Sequence, residues 1–168
     1  MLYRVLSEHD PFAMLIKDDP VRPEIPLEDR LGHNKDVFVL LNANKNQEAV
    51  VCASYQDEVP TATDELRASR GEPKVAVFYT IWSYARGAGT KLIFEAQDYI
   101  KREIPSITRF VTLSPKSDLA RKFYTRNGAA VYRENNQTIN YEYAGGSDVS
   151  VPFFVGSLDE STVHRLNL

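Results

Sequence analysis

Apolar residues in the first half of the chain recur in the short runs that are typical of β-strands. Residues 2–6 alternate between apolar and polar positions, which predicts a short edge strand. Residues 7–35 contain four prolines, so we expect short helical pieces there that loops interrupt. The runs 37–41 and 49–55 flank an asparagine-rich turn and predict an antiparallel hairpin. Cys52 lies in the second strand and is expected to be a small buried hydrophobic residue.

The middle of the chain predicts a strand that leads through a glycine turn into a helix. Residues 56–73 are polar and predict a loop, with a short helix around 64–68. The uncharged run 75–82 is rich in β-branched and aromatic residues, which predicts a strand. Apolar residues at i, i+1, i+4, i+7 and i+8 from Leu92 then predict a helix that begins near Thr90 and ends before a proline.

The last third of the chain predicts a strand, a second helix and a hairpin. Residues 108–113 form the strand pattern, and Ser117 or the aspartate after it is expected to be the N-cap of the helix. An Asn-Gly pair supplies the C-terminal cap. Residues 129–133 and 138–143 then predict a hairpin. The expected apolar face of the second helix consists of Leu119, Ala120, Phe123 and Tyr124.

Composition indicates a soluble globular protein. The 168 residues are 43% hydrophobic and 26% charged, and no apolar run approaches the ~20 residues that span a bilayer. The first eight residues turn acidic too early for a signal peptide, and the single cysteine suggests a reducing compartment. We therefore predict one domain over residues 1–168, a cytoplasmic location and no membrane partner.

Charge is distributed unevenly along the chain. The net charge of −3 argues against a nucleic-acid partner. Residues 1–73 hold 8 basic and 14 acidic residues (−6), whereas residues 82–126 hold 9 and 4 (+5). The basic centre suggests a small anionic ligand, although a solvated helix face would give the same count. The acidic segment favours a cationic substrate, such as a polyamine, an aminoglycoside or a lysine-bearing peptide.

The turn at residues 86–91, Arg-Gly-Ala-Gly-Thr-Lys, is the most informative motif for chemistry. A helix N-terminus offers unpaired backbone N–H groups and the positive end of the helix dipole, which suit a phosphate. Gly87 and Gly89 are expected to let the backbone approach such a ligand closely. A glycine-rich turn without any ligand remains an alternative reading of this motif.

Two sequence blocks carry a family resemblance. In the turn, Arg86 and Gly89 match the signature [Gln/Arg]-x-x-Gly-x-[Gly/Ala], while Lys91 departs from its sixth position. Residues 120–129 are similar to a second block, Ala-x-x-Phe-Tyr-x-x-x-Gly-Phe. With both blocks in order, residues 75–143 resemble the Gcn5-related N-acetyltransferase (GNAT) superfamily.

The resemblance implies an α/β (α+β) fold with a mixed, mostly antiparallel central sheet and flanking helices. It also implies that the strand before the glycine turn and the next strand diverge, so that the pantetheine arm of acetyl-CoA lies between them. The core of the domain would be residues 75–143. Residues 145–168 would form a C-terminal extension. Its apolar run 151–155 is expected to cover a sheet edge or to pack on the second subunit of a homodimer.

The resemblance assigns roles to individual residues. Tyr124 would be the general acid, although the residue type alone favours a core aromatic. Ser117 stands where the family often has an asparagine that contacts the cofactor. The scattered histidines lack the spacing of a metal site, so no metal is predicted. The implied cofactor-binding residues are Ile81, Trp82, Arg86, Gly87, Ala88, Gly89, Thr90, Lys91 and Ser117.

The implied function is acetyl-CoA-dependent N-acetylation of a primary amine on a small molecule or a peptide. The departures at Lys91 and Ser117 keep a non-catalytic acyl-CoA-binding module open. A third hypothesis is an interaction protein without CoA affinity, with its Phe153-Phe154 tail as a docking strand. The general base also remains open, with Asp57, Glu58 and Glu72 as candidates whose simpler interpretation is a solvated carboxylate. The resemblance places His33 in a loop that borders the acceptor site, where it is expected to be a surface residue.

Overall fold

Eight strands form one mixed sheet in the computed structural model, which describes residues 1–144. The strands are β1 (Leu2–Val5), β2 (Lys35–Leu41), β3 (Gln47–Gln56), β4 (Val75–Ser83), β5 (Arg109–Thr112), β6 (Ser114–Pro115), β7 (Ala130–Glu134) and β8 (Thr138–Tyr143). Their order across the sheet is β1-β2-β3-β4-β5-β8. Strand β6 follows β5 after one residue and pairs with the same side of β8, and β7 pairs with the other side of β8. Within this sheet β4 and β5 are parallel and every other pair is antiparallel.

Two α-helices and three short 3-10 helices complete the described chain. The helices are α1 (Ala88–Glu103) and α2 (Asp118–Arg126), and the 3-10 helices are Pro11–Asp18, Leu27–Asp29 and Thr63–Glu65. Within residues 1–144, neither α-helix is long and apolar enough to cross a membrane. The predicted tail at 145–168, with its run 151–155, lies outside the described residues.

The predicted order of strands and helices is confirmed, with two corrections. Helix α1 begins at Ala88 rather than near Thr90, because Gly87 adopts φ +78° and becomes the N-cap residue. Leu119 was expected on the apolar face of α2, but its side chain is 82% exposed. The apolar face of α2 is narrow, and Tyr124 is the residue of this helix that is buried.

The sheet separates two hydrophobic cores. On one face, α1 packs Leu92, Ile93, Ala96 and Ile100 against the strands, and α2 adds Tyr124. On the other face, the 3-10 helix Pro11–Asp18 and the loops around the other short helices cover the strands. Both faces of the central strands are therefore apolar, which explains their nearly continuous hydrophobic runs.

A buried ion pair attaches the N-terminal loop to the second face. The side chains of Asp19 and Arg30 are fully buried, and Arg30 Nη1 donates to Asp19 Oδ2 at 2.7 Å. The same guanidinium donates to the carbonyl oxygens of Ile25 and Arg22 at 2.9 and 2.7 Å. Asp19 Oδ1 accepts from the Thr80 hydroxyl of β4 at 2.8 Å. Loop and sheet are thus joined through one carboxylate.

We predict that Arg30→Met strongly destabilises the protein. The substitution leaves the Asp19 carboxylate buried without its counter-charge, which typically costs about 3–5 kcal/mol. Chemical denaturation of both proteins measures the free energy of unfolding. The control is Lys116→Met, which breaks the exposed Lys116–Glu134 pair (3.6 Å) and should cost less than about 1 kcal/mol. Equal, small losses in both variants would contradict a stabilising role for Arg30.

The Cys52 thiol should be unreactive in the native protein. Cys52 is completely buried in β3, as predicted, and burial raises the pKa of its thiol to about 11. Because the thiolate is the reactive species, a disulfide reagent at pH 8 should not label the folded chain. The same reagent should label one thiol per chain in denaturant. Rapid labelling without denaturant would show that β3 opens readily.

Candidate functional site

The parallel strands β4 and β5 separate halfway along β4. Residues Val75–Phe78 of β4 pair with Arg109–Thr112 of β5, and the Leu113 N–H donates to the Phe78 carbonyl at 3.0 Å. After this bond, residues 79–83 of β4 have no strand partner on the β5 side within the described part of the chain, while Ser114 and Pro115 pair with β8 instead. The main-chain polar groups along this part of β4 therefore face an opening in the sheet.

A β-bulge at Tyr79 accompanies the separation. In β3, Ala53 lies opposite Phe78 and Cys52 lies opposite Thr80, so Tyr79 is an extra residue without a partner. The side chains of Tyr79 and Thr80 consequently point to the same face, where Tyr79 joins the second core and Thr80 bonds Asp19. A bulge bends its strand and increases the local twist, which is what the divergence from β5 requires.

A cavity of about 470 Å³ fills the opening between the strands. Its size is within the range of ligand-binding pockets. Five of the sequence-predicted residues line it: Ile81, Trp82, Gly89, Ser117 and Tyr124. The others, Arg86, Gly87, Ala88, Thr90 and Lys91, belong to the loop and the first turn of α1 on either side of Gly89. The glycine turn and the second sequence block therefore meet at one cavity.

The N-terminus of α1 lies at this cavity without a side-chain cap. Gly87 is the N-cap residue, and no side chain of residues 1–144 bonds to the first-turn N–H groups. Arg86, Gly87 and Lys91 are exposed at this end of the helix. The lysine occupies a regular helical position, so its departure from the signature does not distort the turn. This end of the cavity offers both backbone donors and positive charge.

Gly89 has a packing role that the sequence did not indicate. A Cβ atom at this position would lie 3.3 Å from the Phe123 ring and 3.7 Å from Ile81 Cδ1. The absent side chain therefore allows α1 and α2 to approach each other. At Gly87, in contrast, the positive φ requires glycine and the surrounding space is open. Of the two glycines, only Gly87 has the open surroundings expected for close approach of a ligand.

Two predicted side chains are already engaged in hydrogen bonds. The Thr90 hydroxyl donates to Asn127 Oδ1 at 2.9 Å, which links the first turn of α1 to the end of α2. The Ser117 hydroxyl accepts from the Ala120 N–H at 3.2 Å and so caps α2, as one reading of the sequence predicted. Thr90 therefore keeps its backbone N–H for a ligand, and Ser117 lines the cavity as a helix cap.

Tyr124 is a buried residue of the cavity wall. Its ring stacks on Tyr141 with the centroids 5.2 Å apart and contacts Phe123 edge to face at 5.0 Å. Burial raises the pKa of the Tyr124 hydroxyl to about 12, although the neighbouring Ser114 hydroxyl and the Arg22 charge oppose this rise. The phenol is therefore protonated throughout the physiological range and is able to donate a proton.

The side chain of Trp82 is fixed at the open end of β4. Its indole N–H donates to the Tyr84 hydroxyl at 3.0 Å, and that hydroxyl donates to Asp18 Oδ2 at 2.8 Å. Burial and these bonds leave Trp82 only 7% exposed. The chain of bonds connects the end of β4 to the 3-10 helix Pro11–Asp18 and limits how far the cavity can open.

Arg22 is a residue of the site that sequence reasoning missed. Its Nη2 donates to the Leu113 carbonyl at 3.0 Å, where β5 ends at the cavity. The Nε atom is buried and has no partner among the described residues. Burial lowers the pKa of this guanidinium, which nevertheless carries its charge close to Tyr124. Arg22 lies 91 positions before Leu113, so no local pattern could have indicated this contact.

None of the proposed general bases lines this cavity. Asp57 accepts a hydrogen bond from the Ser69 hydroxyl at 2.9 Å, away from the opening in the sheet. Glu58, Glu72 and His33 are likewise absent from the cavity wall. Instead, the basic residues Lys122 and Arg126 of α2 line it, next to the N-terminus of α1. The cavity therefore suits an anionic ligand.

Solved structures with a similar fold include enzymes that differ widely in sequence. Malonyl-CoA decarboxylase from Rhodopseudomonas palustris is 18% identical, with a TM-score of 0.64 over 98% of this chain and 66% of that chain. The same enzyme from Agrobacterium vitis is 23% identical (TM-score 0.60; 80% of this chain, 39% of that chain). The GNAT domain of PAT from S. lividans is 10% identical (TM-score 0.60; 84% and 88%).

These similarities define the fold. The chain spans less than two thirds of either decarboxylase, but most of the GNAT domain of PAT. No family model matches the sequence, and no curated protein matches it either. The expected mixed sheet with flanking helices is confirmed, and so is the resemblance of residues 75–143 at the level of the fold. The chain has the GNAT fold.

Proposed function

We propose that the protein is an acetyl-CoA-dependent N-acetyltransferase. The observation that carries the proposal is the cavity between β4 and β5, whose wall includes Gly89 in the first turn of α1, the phenol of Tyr124 and two basic side chains of α2. Acetyl-CoA has phosphates at one end of a long arm and a thioester at the other. The cavity wall offers groups for both chemistries: a helix N-terminus with basic side chains for the phosphates, and a phenol for the thioester.

The phosphates would bind where backbone donors and basic side chains meet. The first turn of α1 contributes Gly89 to the cavity wall, and Lys122 and Arg126 of α2 line the same cavity. Charge-assisted hydrogen bonds to phosphate are stronger than neutral ones, so this end should contribute most of the polar binding energy. The unpaired main chain of residues 79–83 would hold the amide groups of the pantetheine arm.

The transfer reaction needs an oxyanion donor and a proton donor. Acetyl-CoA supplies an activated acyl carbon, to which the amine nitrogen forms a bond while the carbon–sulfur bond breaks. A backbone N–H near Ile81 or Trp82 would stabilise the negative charge on the carbonyl oxygen. Tyr124 would give its proton to the departing thiolate, and the proton that the amine nitrogen loses would return through water to Tyr124. The buried phenol is protonated at neutral pH, so it holds a proton to donate.

Decarboxylation of malonyl-CoA is a second candidate, which two structural neighbours suggest by their names. Both reactions begin from an acyl-CoA, so the same cavity would serve either. They differ in their products. Acetyl transfer needs an amine and releases the free thiol of CoA, whereas decarboxylation needs no amine and releases carbon dioxide. Assays of both products with both thioesters would decide between the two reactions.

CoA binding is the first test, and we expect CoA to raise the melting temperature of the protein. Lys122→Ala and Arg126→Ala should each weaken CoA binding about 5- to 10-fold, because each removes a phosphate contact. Pantetheine, which lacks the phosphates, should bind all proteins equally. Isothermal titration measures both ligands.

Arg121→Ala is the matched control for these variants. Arg121 is a basic residue of the same helix that is exposed and does not line the cavity. Its loss should leave CoA affinity unchanged. Absence of any CoA binding would favour an interaction protein, and CoA binding without turnover on a broad panel of amines would favour a non-catalytic acyl-CoA-binding module.

Tyr124→Phe should retain the ring and its stacking but remove the proton donor. We expect kcat to fall about 10²- to 10⁴-fold at saturating acetyl-CoA, while CoA affinity changes little. The measurement is thiol release with an amine substrate across a pH series. Tyr141→Phe provides the control, because the Tyr141 hydroxyl is buried, has no hydrogen-bond partner among residues 1–144 and does not line the cavity. Equal turnover in both variants would make Tyr124 a packing residue.

A further inference from the structure

A second cavity, of about 440 Å³, lies on the sheet face opposite α1. One wall is formed by the segment from Glu24 to Asp29, and the other by residues 63–67. Lys35 and Ser54 contribute from β2 and β3, and Tyr79 contributes from the bulge in β4. The size is again that of a small-molecule site. This cavity has no part in the binding of CoA described above.

Charged side chains of both signs line the second cavity. The acidic ones are Glu24, Asp29 and Asp64, and the basic ones are Lys35 and Arg67. Within residues 1–144, none of these five forms an ion pair with another residue. The described residues also contain no cluster of carboxylates, histidines or cysteines that could hold a metal ion. The cavity therefore presents separate positive and negative groups to a ligand.

Tyr79 connects the second cavity to the first. This residue lines both cavities, and its side chain is only 3% exposed. The hydroxyl lies close to the Cys52 sulfur inside the second core. The position of Tyr79 also places the second cavity next to the β4 side of the acyl-CoA gap.

We propose that the second cavity binds the acceptor of the acyl transfer and that this acceptor is a compact zwitterion, with a primary amine and a carboxylate. This inference rests on the function proposed above. The amine would face the three carboxylates, and the carboxylate of the acceptor would face Lys35 and Arg67. The acidic N-terminal segment alone favours a purely cationic acceptor; the two basic side chains in the same cavity change that preference.

The reaction balances with groups of the two cavities. The acceptor ammonium loses a proton to a carboxylate of the second cavity, and from there the proton passes to solvent. The free amine nitrogen bonds to the acyl carbon as the carbon–sulfur bond breaks, and the proton that the nitrogen loses as the amide forms passes through water to the oxygen of Tyr124 and restores its hydroxyl. Tyr124 protonates the thiolate. The products are an N-acyl amino acid and CoA, and no oxidant, reductant or metal is required.

Probes of equal length test the charge preference. We would titrate 6-aminohexanoate, hexylamine, 1,6-diaminohexane and adipate into the protein without acyl-CoA and follow binding by NMR. A parallel series based on 4-aminobutanoate and on β-alanine covers shorter spans. In the best-fitting series, the amino acid should bind about tenfold more tightly than the monoamine and the dicarboxylate, since it alone meets both signs of charge.

Arg67→Gln should remove the advantage of the amino acid over the monoamine of the same length. Arg70→Gln, three residues further along, is the matched control, because Arg70 is exposed and does not line the cavity. A diamine that binds best would overturn the inference in favour of a polycation site. Absence of binding in every series, or equal effects of the two variants, would also overturn it.

The outcomes separate this inference from the proposed function. Selective binding of the amino acid together with its acetylation by acetyl-CoA supports both. Selective binding without acetyl transfer contradicts the acyltransferase proposal but leaves a zwitterion-binding cavity. Acetyl transfer to all amines at equal rates, unaffected by Arg67→Gln, supports the acyltransferase and contradicts the inference.

Discussion

The Asp19 carboxylate is the group on which the arrangement of the site depends. It accepts hydrogen bonds from Arg30 in the N-terminal loop and from Thr80 in β4, directly after the bulge residue. A buried carboxylate is tolerated only when it is paired and fully hydrogen-bonded. Movement of the loop away from the sheet would break these bonds and leave a buried charge without a partner, which costs several kcal/mol. The loop that places Arg22 on the Leu113 carbonyl beside the first cavity and contributes Glu24 to the second is thereby held against β4.

The opening between β4 and β5 leaves backbone polar groups of β4 without a strand partner, which an ordinary sheet avoids. Strands normally pair along their length, because unpaired backbone groups in a dry interior are costly. Here pairing ends after Phe78, and the bulge at Tyr79 turns the strand away before further bonds can form. The unpaired groups line a cavity rather than a closed core. A ligand with amide groups, such as the pantetheine arm we propose, satisfies them without closing the sheet.

Local patterns predicted the order of strands and helices because each depends on periodicity over a few residues. The glycine turn and the helix with Tyr124 were also predictable, since each is a contiguous motif. The contact between Gly89 and Phe123 joins positions 34 residues apart, and the burial of Arg30 depends on Asp19 and on the sheet behind it. Such features follow from tertiary packing, which a single sequence does not display. Leu119 illustrates the converse error, because an apolar residue at helical spacing need not face the core.

The hydrogen bond between Thr90 and Asn127 has a consequence for the entropy of ligand binding. It joins the first turn of α1 to the last turn of α2, and the close contact of Gly89 with Phe123 reinforces the junction. The backbone donors at one end of the cavity and the helix that carries Tyr124 are therefore parts of one preorganised unit. Since little ordering is left for the ligand to impose on these two helices, less of its interaction energy is lost on association.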